Sequence, residues 1–325
     1  MSIISRCTAT AIKDAATALL KGDLVAFPTE TVYGLGADAT NRDAIARIYK
    51  VKGRPEDHPL IVHISSIVNL DKWARDIPEY ALKLAKAFWP GPMTLILPRT
   101  DLAKDFITGG QDNVGIRVPS HSLAIALLKE FEDQGGLGVA APSANRFGKV
   151  SPTTAAAVQN EIAAFMKKSE VIIDGGPSEI GIESSIIDCT TKHPIILRPG
   201  AITVKMIARK LSLEIPNLNS IATSKAIHIK APGNLTSHYA PDAQVILNGI
   251  PKPGDGFIAL RNVTTPKGVI RLSSPANKKE FASALYAALR SADELRIKKV
   301  FVTTPDQTGI GAGIIDRLIK ASSSN

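Results

Sequence analysis

Cysteine is almost missing: the 325 residues hold two, Cys7 and Cys189, far apart and in no CxxC or Cys/His spacing. That excludes a disulfide framework and leaves a structural zinc site without support. No apolar run approaches the roughly 18 residues of a membrane span, and the N-terminal stretch has no apolar segment preceded by positive charge. These absences fit a protein of the reducing cytoplasm, with no membrane partner and with both thiols used for packing. Aromatics are only 5%, and no cluster of them offers the stacking surface expected of a dedicated RNA-binding module. The pattern GxxxxGK[ST] is also missing, so any ATP is held without a P-loop.

What is present is ordinary globular material, 44% hydrophobic and 21% charged, which argues against a disordered, collagen-like or membrane-embedded chain. The length is about twice that of a usual domain, so two domains are expected. A net charge of +9 and a pI near 9.5 admit polyanions such as nucleotides and nucleic acid as partners.

Along the chain, Ile12, Ala15, Ala16 and Leu19 share one helical face before Gly22, and Asn41 caps a helix that carries Ile45, Ile48 and Tyr49 up to Gly53 and Pro55. Strands are expected at Asp23 to Phe27, Leu60 to Ile64, Met93 to Leu97, Val114 to Val118, Leu137 to Ala141, Val171 to Asp174, Ser185 to Asp188 and Ile195 to Arg198. Helices at 78–88, 121–131 and 153–166 complete an α/β domain spanning 1–212. Because Leu60, Val62 and Ile64 alternate, as do Val114, Ile116 and Val118, His63 and Arg117 project from the other faces and offer a polar, concave site.

Residues 213–240 lose periodicity and are expected to be a linker or lid, too long for an ordinary connection. A small α/β domain follows over 241–325, with strands at Gln244 to Leu247, Phe257 to Leu260 and Lys299 to Thr303 and a helix at 278–291. Gly309 to Gly313 opens a last helix of about ten residues and is read as a close helix–strand turn, since no ribose-binding acid follows it.

Five clusters mix glycine, hydroxyl and charge beside the expected strands: Pro28 to Gly36, Lys50 to Pro55, Ala141 to Asn145, Gly181 to Ser185 and Leu197 to Gly200. In open α/β sheets ligands bind at strand carboxyl ends. Lys50, Lys52 and Arg54 lie at a helix end, where the macrodipole favours cations, and are expected to be solvated there. No general base with an orienting acid is visible around Ser143, so catalysis on these residues is positional and electrostatic.

In order, PTETVYGLG, Val51-Lys52-Gly53-Arg54-Pro55, FWPGPMTLIL, VGIRVP, PSAN, GIESSI, LRPG and SHYAP resemble the YrdC-type threonylcarbamoyl-AMP synthase family. The resemblance covers 11–210, and the remainder is similar to the subclass with a small Rossmann-like C-terminal domain. It implies an α/β, YrdC-like twisted mixed sheet with a concave site. The implied reaction condenses L-threonine, bicarbonate and ATP, with Mg²⁺, to threonylcarbamoyl-AMP and pyrophosphate. A downstream transferase then modifies tRNA next to the anticodon, with weak or no direct tRNA binding by this chain. The implied catalytic residues are Lys52, Arg54, Ser143 and Asn145. Threonine is assigned to Thr31, His63, Arg117, Ala141 and Ser184, and the nucleotide to Arg54, His58, Asn113, Ser143, Ser151, Arg198 and Tyr239.

Overall fold

The computed structural model describes residues 4–6, 8–212, 229–233 and 239–323. Its first sheet uses β1 (Ile4–Arg6), β2 (Val25–Phe27), β3 (Gly34–Asp38), β4 (Ile61–His63), β5 (Met93–Pro98), β6 (Asn113–Arg117), β7 (Val139–Ala140), β8 (Val171–Asp174), β9 (Ser185–Asp188) and β10 (Ile195–Arg198). These ten strands lie in the order β1-β8-β2-β3-β7-β4-β6-β5-β9-β10. Pairing is mixed: β4 with β6 and β5 with β9 are parallel, whereas β2 with β3 and β5 with β6 are antiparallel. A second, all-parallel sheet joins β11 (Gln244–Leu247), β12 (Gly256–Ile258), β13 (Ile270–Ser273) and β14 (Lys299–Val302) in the order β11-β14-β12-β13.

Local signals decide the helix ends. Thr8 caps the helix Ala9–Leu20 by accepting from the Ala11 N–H, and the buried face is the expected Ile12, Ala15, Ala16 and Leu19. Asn41 accepts from the N–H groups of Asp43 and Ala44 at the start of Arg42–Lys52, and Gly53 ends that helix at φ 62. The stretch expected as one helix at 153–166 is a helix over Ala155–Ile162 followed by a 3-10 turn, Ala163–Phe165.

β1, β3 and β13 were not expected from the pattern. β3 reads Gly-Leu-Gly-Ala-Asp, weak strand material by propensity. It becomes a strand because β2 and β7 supply a ladder on both sides. Gly36 makes this pairing sterically feasible, since a Cβ there would lie 2.8 Å from both Phe27 Cε1 and Val139 Cγ1.

The main core packs Leu35, Ile48, Val62, Trp73, Leu95 and Ile116 around the first sheet. A second apolar cluster crosses between the two sheets, joining Val32, Val150 and Ile182 to Phe281, Leu285 and Ile314. The last helix, Gly311–Ser322, starts within the glycine-rich stretch. Its Gly313 is packed tightly, but not against its own strand as expected: an added Cβ would lie 2.9 Å from Ile182 Cδ1 and 3.1 Å from Gly200 Cα. The glycine therefore serves the contact between the two sheet domains.

Most of the linker or lid expected at 213–240 lies outside the described residues. Within its described parts, the Pro232 carbonyl accepts from Arg198 Nη1 at 2.9 Å, and Ala240 bridges to Lys149. Among the described residues no helix is long and apolar enough to cross a membrane.

Candidate active site

The parallel register of β4 and β6 sets His63 opposite Arg117. Side chains at paired positions leave a sheet on the same side, and both line one cavity. Thr31, His63, Arg117, Ala141 and Ser184 all line it, together with Arg54, Ser143, Arg198 and Tyr239. The threonine set suggested by the sequence thus lines one cavity, together with part of the nucleotide set.

Arg117 is buried and highly constrained. Its Nη1 donates to Thr31 Oγ1 at 3.0 Å, its Nη2 to Glu30 Oε1 at 2.6 Å and its Nε to the Gly91 carbonyl at 3.4 Å. Thr31 Oγ1 is in turn 2.8 Å from Thr29 Oγ1. Arg198 donates from Nε and Nη2 to the carbonyl and Oγ of Ser184, at 3.0 and 3.1 Å. The Ser184 hydroxyl also meets Thr94 Oγ1 at 2.8 Å.

Lys52 and Arg54 are not the solvated helix-end cations expected from position. They are 2% and 8% exposed, because the 141–145 segment folds over the end of the Arg42–Lys52 helix. Lys52 Nζ donates to the carbonyls of Ser143 at 2.6 Å and Asn145 at 2.5 Å. Burial and the neighbouring Arg54 push its pKa well below the usual lysine value. Arg54 spends Nη2 on the Pro59 carbonyl at 2.9 Å, while its buried Nε has no partner among the described residues. Burial lowers the Arg54 pKa to about 10, still cationic at neutral pH.

Lys52, Asn145, His58, Asn113 and Ser151 are not on the cavity wall. Asn145 Nδ2 donates to the carbonyls of Arg146 and Lys149, and its buried Oδ1 is unpartnered among the described residues. His58 sits edge-on to Phe147 with ring centres 5.4 Å apart. Asn113 opens β6 and pairs in register with Pro98. Ser151 donates from Oγ to Glu183 Oε1 at 2.5 Å.

Glu183 lines the cavity but was not singled out from the sequence, although it lies inside GIESSI. Its Oε2 accepts from Tyr286 at 2.9 Å and from Arg317 Nε at 2.7 Å, so the second domain holds it from behind. Burial alone would raise its pKa, but Arg317 and Arg198 outweigh that and bring it to about 2. Glu30 lies likewise within PTETVYGLG, a motif whose pattern alone assigns it no role. The signal was a carboxylate in a hydroxyl-rich motif; the partner was hidden 87 residues away.

Among the described residues no group of three His, Cys, Asp or Glu is placed to hold a metal ion. The Glu183 carboxylate, the one on the cavity wall, is already bonded to Ser151, Tyr286 and Arg317. Hydroxyls and the unpartnered Asn145 Oδ1 are hard oxygens of the kind that suit Mg²⁺ bound mainly through substrate phosphates and water.

His63 is buried, with Nδ1 3.2 Å from the Ile61 carbonyl and its ring edge-on to Phe27. Burial, aided by Arg117, lowers its pKa from 6.5 to about 3, so it is neutral wherever the fold is used. The unfolded chain takes up a proton below pH 6.5 that the native chain refuses until about pH 3. The His63 contribution to stability is therefore complete above pH 6.5 and lost progressively down to about pH 3. Urea unfolding across this window is expected to show a weaker acid loss in His63→Gln than in wild type; an unchanged slope would refute the assignment.

Family models match nearly the whole chain: one described as "Telomere recombination" over residues 17–200, and one described as "Threonylcarbamoyl-AMP synthase, C-terminal domain" over 202–323. The chain is 41% identical to the threonylcarbamoyl-AMP synthase of Pyrococcus abyssi, covering 96% of this chain and 94% of that one. With the Bacillus subtilis synthase the identity is 39%, over 96% and 92% of the two chains. The crystal structure of P. abyssi Sua5 complexed with L-threonine superposes with a TM-score of 0.87 at 37% identity, covering 100% of this chain and 98% of that one. The fold is that of a two-domain α/β enzyme built on a twisted mixed sheet. The chain belongs to the threonylcarbamoyl-AMP synthase family.

Proposed function

We propose that this chain is an L-threonylcarbamoyladenylate synthase, a nucleotidyltransferase that condenses L-threonine, bicarbonate and ATP to threonylcarbamoyl-AMP and pyrophosphate. The observation that carries the reading is the convergence of Thr31, His63, Arg117, Ala141 and Ser184 on one cavity that the buried cations Arg54 and Arg198 also line. Such a cavity suits an amino acid next to a polyphosphate.

The threonine amine adds to bicarbonate with loss of water, giving a carbamate. A carbamate oxygen then attacks the α-phosphorus of ATP, and the bond to the β-phosphate oxygen breaks to release pyrophosphate. Both steps bring anions together, so the protein contributes placement and fixed positive charge. In this reading Arg117 takes the threonine carboxylate, while neutral His63 shapes the pocket without adding charge. Arg54, whose buried Nε awaits a partner, and Arg198 face the phosphates, with Ser143 and Tyr239 on the nucleotide side. Lys52 holds the Ser143–Asn145 segment through its two carbonyl bonds. Asn145 Oδ1 and the site hydroxyls would be the oxygens to hold Mg²⁺ accompanying ATP, and the ion would supply charge neutralisation at the phosphates.

The product passes to a transferase that acts on tRNA, and the chain has weak or no tRNA affinity of its own. It works in the cytoplasm, in keeping with its free, buried Cys189. Pyrophosphate release is expected to require L-threonine, bicarbonate and Mg²⁺ together. Release that continued unchanged without threonine would refute the assignment.

A further inference from the structure

Glu30 is 5% exposed and belongs to no wall of the cavity, yet each of its carboxylate oxygens is spent on the same region. Oε1 accepts from Arg117 Nη2 at 2.6 Å, and Oε2 accepts from the Ser120 N–H at 3.1 Å. The backbone that carries it is locked on both sides. Thr29 Oγ1 donates to the Val32 carbonyl at 2.6 Å and accepts from the N–H groups of Thr31 and Val32 at 3.2 Å, while the Glu30 carbonyl accepts from Ile180 N at 2.8 Å. A side chain this fixed, holding the cation of the site, is built for orientation. A buried ion pair gives little net stability over apolar residues of the same size, so folding alone does not account for it.

A guanidinium has five N–H donors. In Arg117 three of them go to Gly91, Thr31 and Glu30; the other two meet no acceptor among the described residues and are open to a ligand in the cavity that Arg117 lines. Glu30 also balances the Arg117 charge. An already paired cation takes the carboxylate of a zwitterion through directed bonds, but adds by itself little general attraction for a small dianion.

We propose that Glu30 is a positioning residue of the threonine site, which orients Arg117 for one carboxylate and keeps the pocket from filling with other anions. This rests on the threonine assignment above. The test uses the full chain, wild type and Glu30→Gln, with pyrophosphate release measured as threonine, ATP and inorganic sulfate are varied. The amide keeps the size and one acceptor but has no charge. Glu30→Gln is expected to raise the KM for threonine by roughly 10- to 100-fold, the range for a lost hydrogen bond to a charged group. The KM for ATP and kcat at saturating threonine should stay within about twofold. Sulfate should become a competitor of threonine in the variant and not in wild type.

Calorimetry of sulfate binding to each protein without substrates reads the Glu30 effect on Arg117 even if turnover is lost. It also separates the two readings. Wild type without threonine-dependent release refutes the function, whereas sulfate binding gained in Glu30→Gln still supports the role of Glu30. An unchanged threonine KM with no gain of sulfate binding, or equal losses for threonine and ATP, would overturn the proposal.

Discussion

Arg117→Lys is expected to raise the KM for L-threonine by about 10²-fold and leave the KM for ATP nearly unchanged. Lysine keeps the charge but replaces a planar fork by a point donor. The guanidinium already serves Glu30, Thr31 and Gly91 and has two N–H groups in reserve. An ammonium with three hydrogens cannot meet the same partners and a carboxylate together. Loss of a charge-assisted, bidentate contact is worth about 2–3 kcal/mol, which corresponds to the stated fold-change. On the proposed assignment ATP is spared, because its phosphates are met by Arg54 and Arg198, two further cations that line the same cavity. Steady-state pyrophosphate release with each substrate varied in turn decides the matter. Equal losses for the two substrates would place Arg117 between them instead.

Arg317→Met is expected to destabilise the chain by about 3–5 kcal/mol, the range for removing one partner of a buried ion pair. Arg317 is 1% exposed. It reaches across from the second domain, donating from Nε to Glu183 Oε2 at 2.7 Å and from Nη1 to the Pro199 carbonyl at 3.0 Å, with the Tyr239 ring 5.5 Å from its guanidinium carbon. Without it Glu183 stays buried with Ser151 and Tyr286 but lacks its nearest cation. Adding Glu183→Gln to the same chain should recover part of the loss, since the buried carboxylate is then gone and Asp316, the other acidic partner of Arg317, keeps Lys320 at 2.9 Å. The pH dependence follows with a definite sign. Glu183 titrates from 4.5 in the unfolded chain to about 2 in the native one, so its contribution is full above pH 4.5 and disappears as pH falls through about 2. Urea unfolding at neutral pH and under acid tests both statements. A loss below about 1 kcal/mol in Arg317→Met would match an exposed pair and deny the buried role.

Much of the site was legible because its residues cluster in short segments. Thr31, Ser143 and Ser184 each lie in a motif rich in glycine and hydroxyls, and the alternation along β4 and β6 puts His63 and Arg117 on the polar side from the sequence alone. Burial of the cations was not legible. Lys52 and Arg54 look like ordinary helix-end charges, and only the fold reveals the Ser143 and Asn145 carbonyls that receive Lys52.

Caps, helix faces and most strands follow from neighbours within a few residues, where hydrogen bonding and apolar spacing are local properties of the sequence. Gly53 at φ 62 and Asn41 at its cap are of this kind. The tertiary structure decided the rest. β3 exists because β2 and β7 flank it; Glu30 finds Arg117 across 87 residues, and Glu183 finds Arg317 across 134. A buried charge must be matched by whatever opposite charge the fold carries to it, and distance along the chain gives no measure of that.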